Sequence, residues 1–275
     1  MKKLLHPKYL PIFVSFAAVL GFVLRLFALA GGTDAEGLYA LSPVIWVLLW
    51  IITAAVPVMI ILMTRSLTEP VKYNKNFPAS LVSAIGSLLA GVGFALAGLE
   101  SLLHSADTFT FLSGILGLAS AVFMALVAYA RLKGNKPFPF CHLCVCLFFA
   151  LRTFSQSRMW GNEPQIGLFI FAFLAQICAM LAAYQLSAFD LELGNRRSSL
   201  FWSLSATYLS LVALPSSDDL LFFGCIAVWL LTNLCSLRPV KKRKAVPQEP
   251  ANPVQAQISG SDVSIDEIKT WLEEE

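Results

Sequence analysis

The sequence predicts an all-α, polytopic integral membrane protein, and three observations carry that reading. Of its 275 residues 57% are hydrophobic and only 13% charged; mean hydropathy is +0.71. A soluble domain is closer to half apolar and a quarter charged. Apolar runs long enough to cross a bilayer, which takes about 20 residues of helix, recur along the chain between short polar segments. The lysines and arginines, finally, are distributed asymmetrically among those segments. Composition also excludes a disordered chain, a collagen-like repeat and a disulfide-stapled secreted domain, since the apolar content is too high and six cysteines are too few.

Eight spans are expected, over residues 9–30, 41–64, 79–104, 108–130, 138–155, 165–188, 198–214 and 219–237. The fifth and seventh are among the shortest, and the seventh carries six Ser/Thr, so six spans with one re-entrant hairpin is the alternative. The first span has a rival reading as a signal peptide, because it ends in Ala28-Leu29-Ala30. Arg25 within the run and the length of the apolar stretch favour a retained helix. With the N-terminus inside, 16 of the 20 Lys and Arg fall in the inner segments bordering the spans, including Arg65, Lys72, Arg131, Lys133, Lys136, Arg196 and Arg197. Asp34, Glu36, Asp107, Glu163, Asp218 and Asp219 fall on the outer side, with Arg158 opposing the trend. The rule that short cytoplasmic loops are basic therefore puts both termini in the cytoplasm.

Phe22-Val23-Leu24-Arg25-Leu26-Phe27 and Phe149-Ala150-Leu151-Arg152-Thr153-Phe154 read alike at an offset of 127 residues. Four spans separate them, an even number, so the division is into two parallel four-helix repeats, 1–131 and 132–237, followed by a cytoplasmic tail, 238–275. Ser83, Ser87, Gly91 and Ala95 in the third span, and Gly117, Ala121 and Ala125 in the fourth, recur every fourth residue. Small residues at that spacing let helices approach closely, so a tight hairpin is expected there. Pro57 is expected to kink the second span.

Charge inside a membrane is the first place to look for a site, because it is costly unless paired. Arg25 and Glu100 lie at similar depth below the outer boundary and are expected to pair, with Arg152 at a similar level and His104 one turn above Glu100. Arg25, Glu100, His104, Arg152 and Arg158 form the candidate outer polar pocket. Each arginine snorkelling separately to the headgroups is the bland alternative. A metal site from Cys141, Cys144 and Cys235 is disfavoured, because zinc asks for four ligands and His142 points about 100° away from Cys141 on a helix. No cofactor is expected. Nucleophile elbows, zinc-protease motifs, phosphate loops and dinucleotide fingerprints are all missing, which ranks an enzyme below a binding, sensor or scaffold protein and below a small-solute or lipid transporter.

After Leu237 the composition changes abruptly. Arg238, Lys241, Lys242, Arg243 and Lys244 are placed to meet anionic lipid at the inner face. Near the end, Ser264 and Glu267 fit a capping box, and Ile265, Ile268, Trp271 and Leu272 fall on one helical stripe. That helix is too short to be stable alone, so it is expected to form on a cytoplasmic protein partner or on the chain's own membrane domain. Nothing points to nucleic acid.

Leu147-Phe148-Phe149-Ala150-Leu151-Arg152, the stretch Ala188-Phe189-Asp190 through Gly194-Asn195-Arg196-Arg197, and Leu230-Leu231-Thr232-Asn233-Leu234-Cys235-Ser236-Leu237 resemble segments of an uncharacterised family of polytopic membrane proteins from gut Gram-positive anaerobes. The resemblance covers most of the membrane portion. It implies a bacterial plasma membrane and carries no known activity, ligand or catalytic residue.

Overall fold

The structure, a computed structural model, describes residues 10–30, 43–65, 73–105, 107–160, 168–216 and 219–237. Among these residues it is entirely helical: α1 (Leu10–Leu29), α2 (Pro43–Thr64), the single turn α3 (Tyr73–Asn76), α4 (Leu81–Leu103), α5 (Thr108–Lys133), α6 (Phe140–Trp160), α7 (Ile170–Asp190), α8 (Arg196–Ala213) and α9 (Leu220–Cys235). Residues 1–238 belong to one compact unit. The basic cluster Arg238, Lys241, Lys242, Arg243 and Lys244 and the tail residues Ile265, Ile268, Trp271 and Leu272 lie outside the described residues.

Local chemistry explains the ends. Ser80 accepts the backbone N–H of Ser83 ahead of α4, Asp107 that of Thr110 ahead of α5, and Asn195 those of Arg197 and Ser198 ahead of α8. Gly134 stops α5 at φ 69°, a left-handed conformation that costs glycine little. Pro57 sits inside α2. Three helices run past their expected ends, α7 among them, which continues to Asp190. α5 continues through Arg131 to Lys133, and α6 continues through Gln156 and Arg158 to Trp160, so charges expected in connecting loops belong to helices.

Among the described residues six helices, α1, α2, α4, α5, α6 and α7, are long and apolar enough to cross a membrane; α9, with 16 residues, is apolar but shorter. Large apolar side chains such as Ile12, Phe16, Val44, Val92 and Val122 are more than half exposed, a surface suited to lipid and not to water. α8 is the opposite case. Every residue from Ser203 to Ser210 is buried, against α1, α2, α7 and α9. Its Ser199, Ser203, Ser205, Thr207 and Ser210 are buried in protein, where neighbouring helices and not lipid surround them.

Contacts fix the directions of the helices. Ser80 N donates to Arg131 O, Thr110 bonds Ser155, Thr153 bonds Gln176 and Ser83 bonds Asn233, so the start of one helix meets the end of the next. The expected hairpin of α4 and α5 is present, with the backbones touching at Gly98, Gly114 and Gly117; a side chain at Gly98 would meet the Gly114 carbonyl at 2.9 Å. The small-residue stripe divides its work. Gly91 lies on α5, whereas Ser83 reaches Asn233 of α9 and Gly86 and Gly93 press on Thr232 and Cys225 there; Ala125 is exposed.

Candidate functional site

Polar side chains gather at both ends of α6. At the end near Asp107, Arg152 is 5% exposed; its Nη2 donates to Asp219 Oδ2 at 2.7 Å, its Nη1 to Ser101 Oγ at 3.2 Å, and its guanidinium lies 4.6 Å from the Phe222 ring centroid. Gln156 Nε2 donates to the same Asp219 oxygen at 3.0 Å, Gln176 Nε2 donates to Gln156 Oε1, and Thr153 Oγ1 donates to Gln176 Oε1 at 3.1 Å. The chain of bonds runs from Asp219, partly exposed ahead of α9, to Gln176, which is fully buried in α7. A second short chain lies beside it. Arg158 Nη1 donates to Asp107 Oδ2 at 2.9 Å, Thr110 Oγ1 donates to Asp107 Oδ1 at 2.7 Å, and Thr110 and Ser155 bond through their hydroxyls. The Thr110 hydroxyl and backbone N–H, with the Arg158 charge behind them, hold the Asp107 carboxyl below the usual carboxylate range.

The five residues expected in the outer pocket therefore divide. Glu100, an exposed side chain, interacts electrostatically with Asp219, Arg152 and His104, which places these four together. Arg158 joins Asp107 instead. Arg25 does not meet Glu100: its Nη2 donates to the Leu168 carbonyl at 2.7 Å, and its guanidinium lies between Trp46 and Phe171, 4.8 and 5.0 Å from their ring centroids. The physical reason is rotation about the helix axis. Equal depth brings two side chains level, but Arg25 is wholly buried towards α2 and α7 while Glu100 points outwards. Asp219 stands in the sequence reading only as an outer acidic residue, and Ser101 and Gln156 escaped it because isolated amides and hydroxyls carry no periodic signal.

At the other end of α6, His142 and Asp190 are fully buried, with Nδ1 and Oδ2 2.5 Å apart. The His142 ring stacks on Trp229 at 6.4 Å and 13°. Arg131, 1% exposed, lies near this pair and is covered by the rings of Phe77 and Tyr73, 4.0 and 5.2 Å from its guanidinium carbon. Burial pushes the Tyr73 phenol up to about 12, against the opposing charge of Arg131. α3 is held in place by the ring contact of Phe77 with Phe189 at 5.5 Å and by Arg196 Nη1 donating to Asn76 Oδ1 at 3.2 Å. A signal for Arg131 was present in the sequence. It falls three, four and seven residues from Ala128, Val127 and Met124, all of them buried, so it belongs to the core stripe of α5.

Between the two ends, Phe94, Phe148, Phe149, Phe222 and Trp229 interlock, with Phe94 at 5.5 to 6.1 Å from each of the others and none more than 3% exposed. The cysteines do not assemble. Cys141 is buried, Cys144 contacts Ser120 at 3.6 Å and Cys235 is exposed; among the described residues no three potential metal ligands converge.

Fold and site define a helical protein built for a membrane, with polar centres at each end of an apolar block. Compared with known protein families, curated proteins and solved structures, the chain matches none.

Proposed function

We propose that this is a multi-pass protein of a bacterial plasma membrane that crosses the bilayer eight times with both termini cytoplasmic, and that it is a binding or sensor protein, not an enzyme. On this reading it takes up a small polar ligand from outside at the Arg152–Asp219 centre, while the basic tail cluster rests on anionic lipid and the terminal helix docks a cytoplasmic protein. The observation that carries the ligand reading is the bonded chain from Asp219 through Gln156 to Gln176, which leads from a partly exposed carboxylate to a side chain fully buried in α7. A transporter is the second reading, favoured by the placing of polar centres at opposite ends of one helix. Five interlocked rings between them argue for a blind pocket.

The test is side-specific labelling. Gln156→Cys, in a variant whose six native cysteines are replaced, is treated with a membrane-impermeant thiol reagent on each face of sealed vesicles. Modification only from the face bearing Asp107 is the expected result. Modification from both faces establishes a path through the block and the transporter reading; modification from neither removes the entrance and with it the ligand reading.

A further inference from the structure

A cavity of about 240 Å³ lies between the end of α2 and the start of α8, lined by Ile61, Thr64, Asn195, Arg197, Ser198 and Phe201. Pockets that enclose a whole small molecule run to roughly 300–1,000 Å³, whereas a single water needs only about 15 Å³. This one is sized for part of a molecule whose remainder lies elsewhere. Its lining is graded along the bundle. Arg197 and Phe201 are four residues apart on one face of α8, and Thr64 and Ile61 are three apart on α2. Each helix therefore sets a polar group at the end of the bundle and an apolar one a turn deeper. Ile61 is 42% exposed, and Val58, a further turn in on the same face, is 56% exposed, so the apolar wall runs on into the lipid-suited surface of α2.

The charge of the cavity is one-sided. Arg197 is the single charged residue of the lining, no carboxylate is among the six, and none of the ion pairs among the described residues includes it. Asn195 Oδ1 already accepts the backbone N–H groups of Arg197 and Ser198, so what the cavity offers an occupant is side-chain donors, the Arg197 guanidinium and the Ser198 hydroxyl. Two arginines and no acid stand in the first turn of α8, where the helix dipole disfavours cations; an anion held between them and α2 offsets that. A guanidinium fork matches two oxygens of a phosphate. We propose that this cavity holds the headgroup phosphate of a phospholipid of net negative charge, its oxygens on Arg197 and Ser198 and the start of an acyl chain on Ile61 and Phe201. A headgroup that also carries an ammonium finds no acidic partner in the lining, which selects against a zwitterionic lipid. The site uses none of the basic tail residues and is independent of the Arg152 centre. It rests on the chain being embedded in a bilayer, which is checked separately by whether detergent is needed to extract the protein from membranes.

The experiment follows the unfolding temperature of the full chain in detergent micelles as phosphatidylglycerol, phosphatidylcholine, glycerol phosphate or inorganic phosphate is added. Phosphatidylglycerol is expected to raise it saturably, and phosphatidylcholine to need at least about tenfold more for the same rise. Arg197→Gln should increase the phosphatidylglycerol concentration for half effect about tenfold, and Ser198→Ala a few-fold. Arg65→Gln removes an exposed charge at the same end of the bundle that does not line the cavity, and should leave that concentration within about twofold. Should Arg197→Gln fail to fold, Ser198→Ala and the lipid series on the unaltered protein still decide. Phosphatidylcholine acting as strongly as phosphatidylglycerol overturns the proposal, as does phosphatidylglycerol without effect. An equal rise with glycerol phosphate or inorganic phosphate identifies a site for a soluble anion and overturns the lipid assignment. Equal weakening by Arg65→Gln and Arg197→Gln means diffuse attraction to a basic surface, and overturns it too.

Discussion

Arg25, Arg131 and Arg152 are all buried and all lie against aromatic rings, yet each is completed differently. Arg152 has a carboxylate, Arg25 a backbone carbonyl, and Arg131 the rings of Phe77 and Tyr73 together with the Tyr73 side-chain oxygen. Removing one member of a buried ion pair leaves the other charge uncompensated, so Arg152→Leu and Asp219→Leu should each lower stability by about 3 kcal/mol. The double variant should lose clearly less than the sum, measured by denaturant unfolding in micelles. The corresponding comparison for Arg25 and Glu100 should come out additive, because the two do not touch. A coupling there as strong as that between Arg152 and Asp219 would contradict the structure. Depth along a helix was legible for these arginines from residue counting; their partners were not, because partner choice depends on rotation about the axis and on neighbouring helices that no local pattern names.

Element by element, the helices were legible because long apolar runs with capping residues leave few alternatives: Ser80, Asp107 and Asn195 stand where α4, α5 and α8 begin. Less legible was the role of each small residue. α4 carries glycine on two faces, one for α5 and one for α9, and the every-fourth-residue pattern merges them. At Gly98 and Gly117 an added Cβ would come within 2.9 and 2.8 Å of backbone on the opposing helix, which cannot move aside as a side-chain tip can. Gly98→Val and Gly117→Val should therefore separate α4 from α5 and lower stability by about 1–3 kcal/mol or more. Gly224→Ala, in open space inside α9, should cost no stability and raise it by up to about 1 kcal/mol through helix propensity, and serves as the control in the same unfolding assay. Equal losses at all three positions would refute the close packing. α8 shows the converse limit: its six Ser/Thr suggested a re-entrant segment, whereas burial on all sides makes it the central helix.

For the whole molecule, the alternating directions of the six long helices extend to α8 and α9, which pack in the same bundle. If all eight cross the bilayer, single cysteines at Asn135 and at Ser105 should be modified from opposite faces, with Asn135 on the face of Lys133. Labelling of both from one face would refute the topology. The apolar composition, the positions of the helices and the bias of Lys and Arg towards alternate connections could be read without coordinates, because they follow from residue chemistry taken one segment at a time: an apolar run must leave water, and a basic loop resists translocation. Which buried charge faces which, that aromatic rings fill the middle of the bundle, and that α3 lies over Arg131 were settled only when helices far apart in the chain came together. Those pairings join residues separated by 67 positions at Arg152 and Asp219, and by 48 at His142 and Asp190. Over such separations a side chain's neighbours are set by how helices pack and rotate against each other, and local sequence carries no record of that rotation.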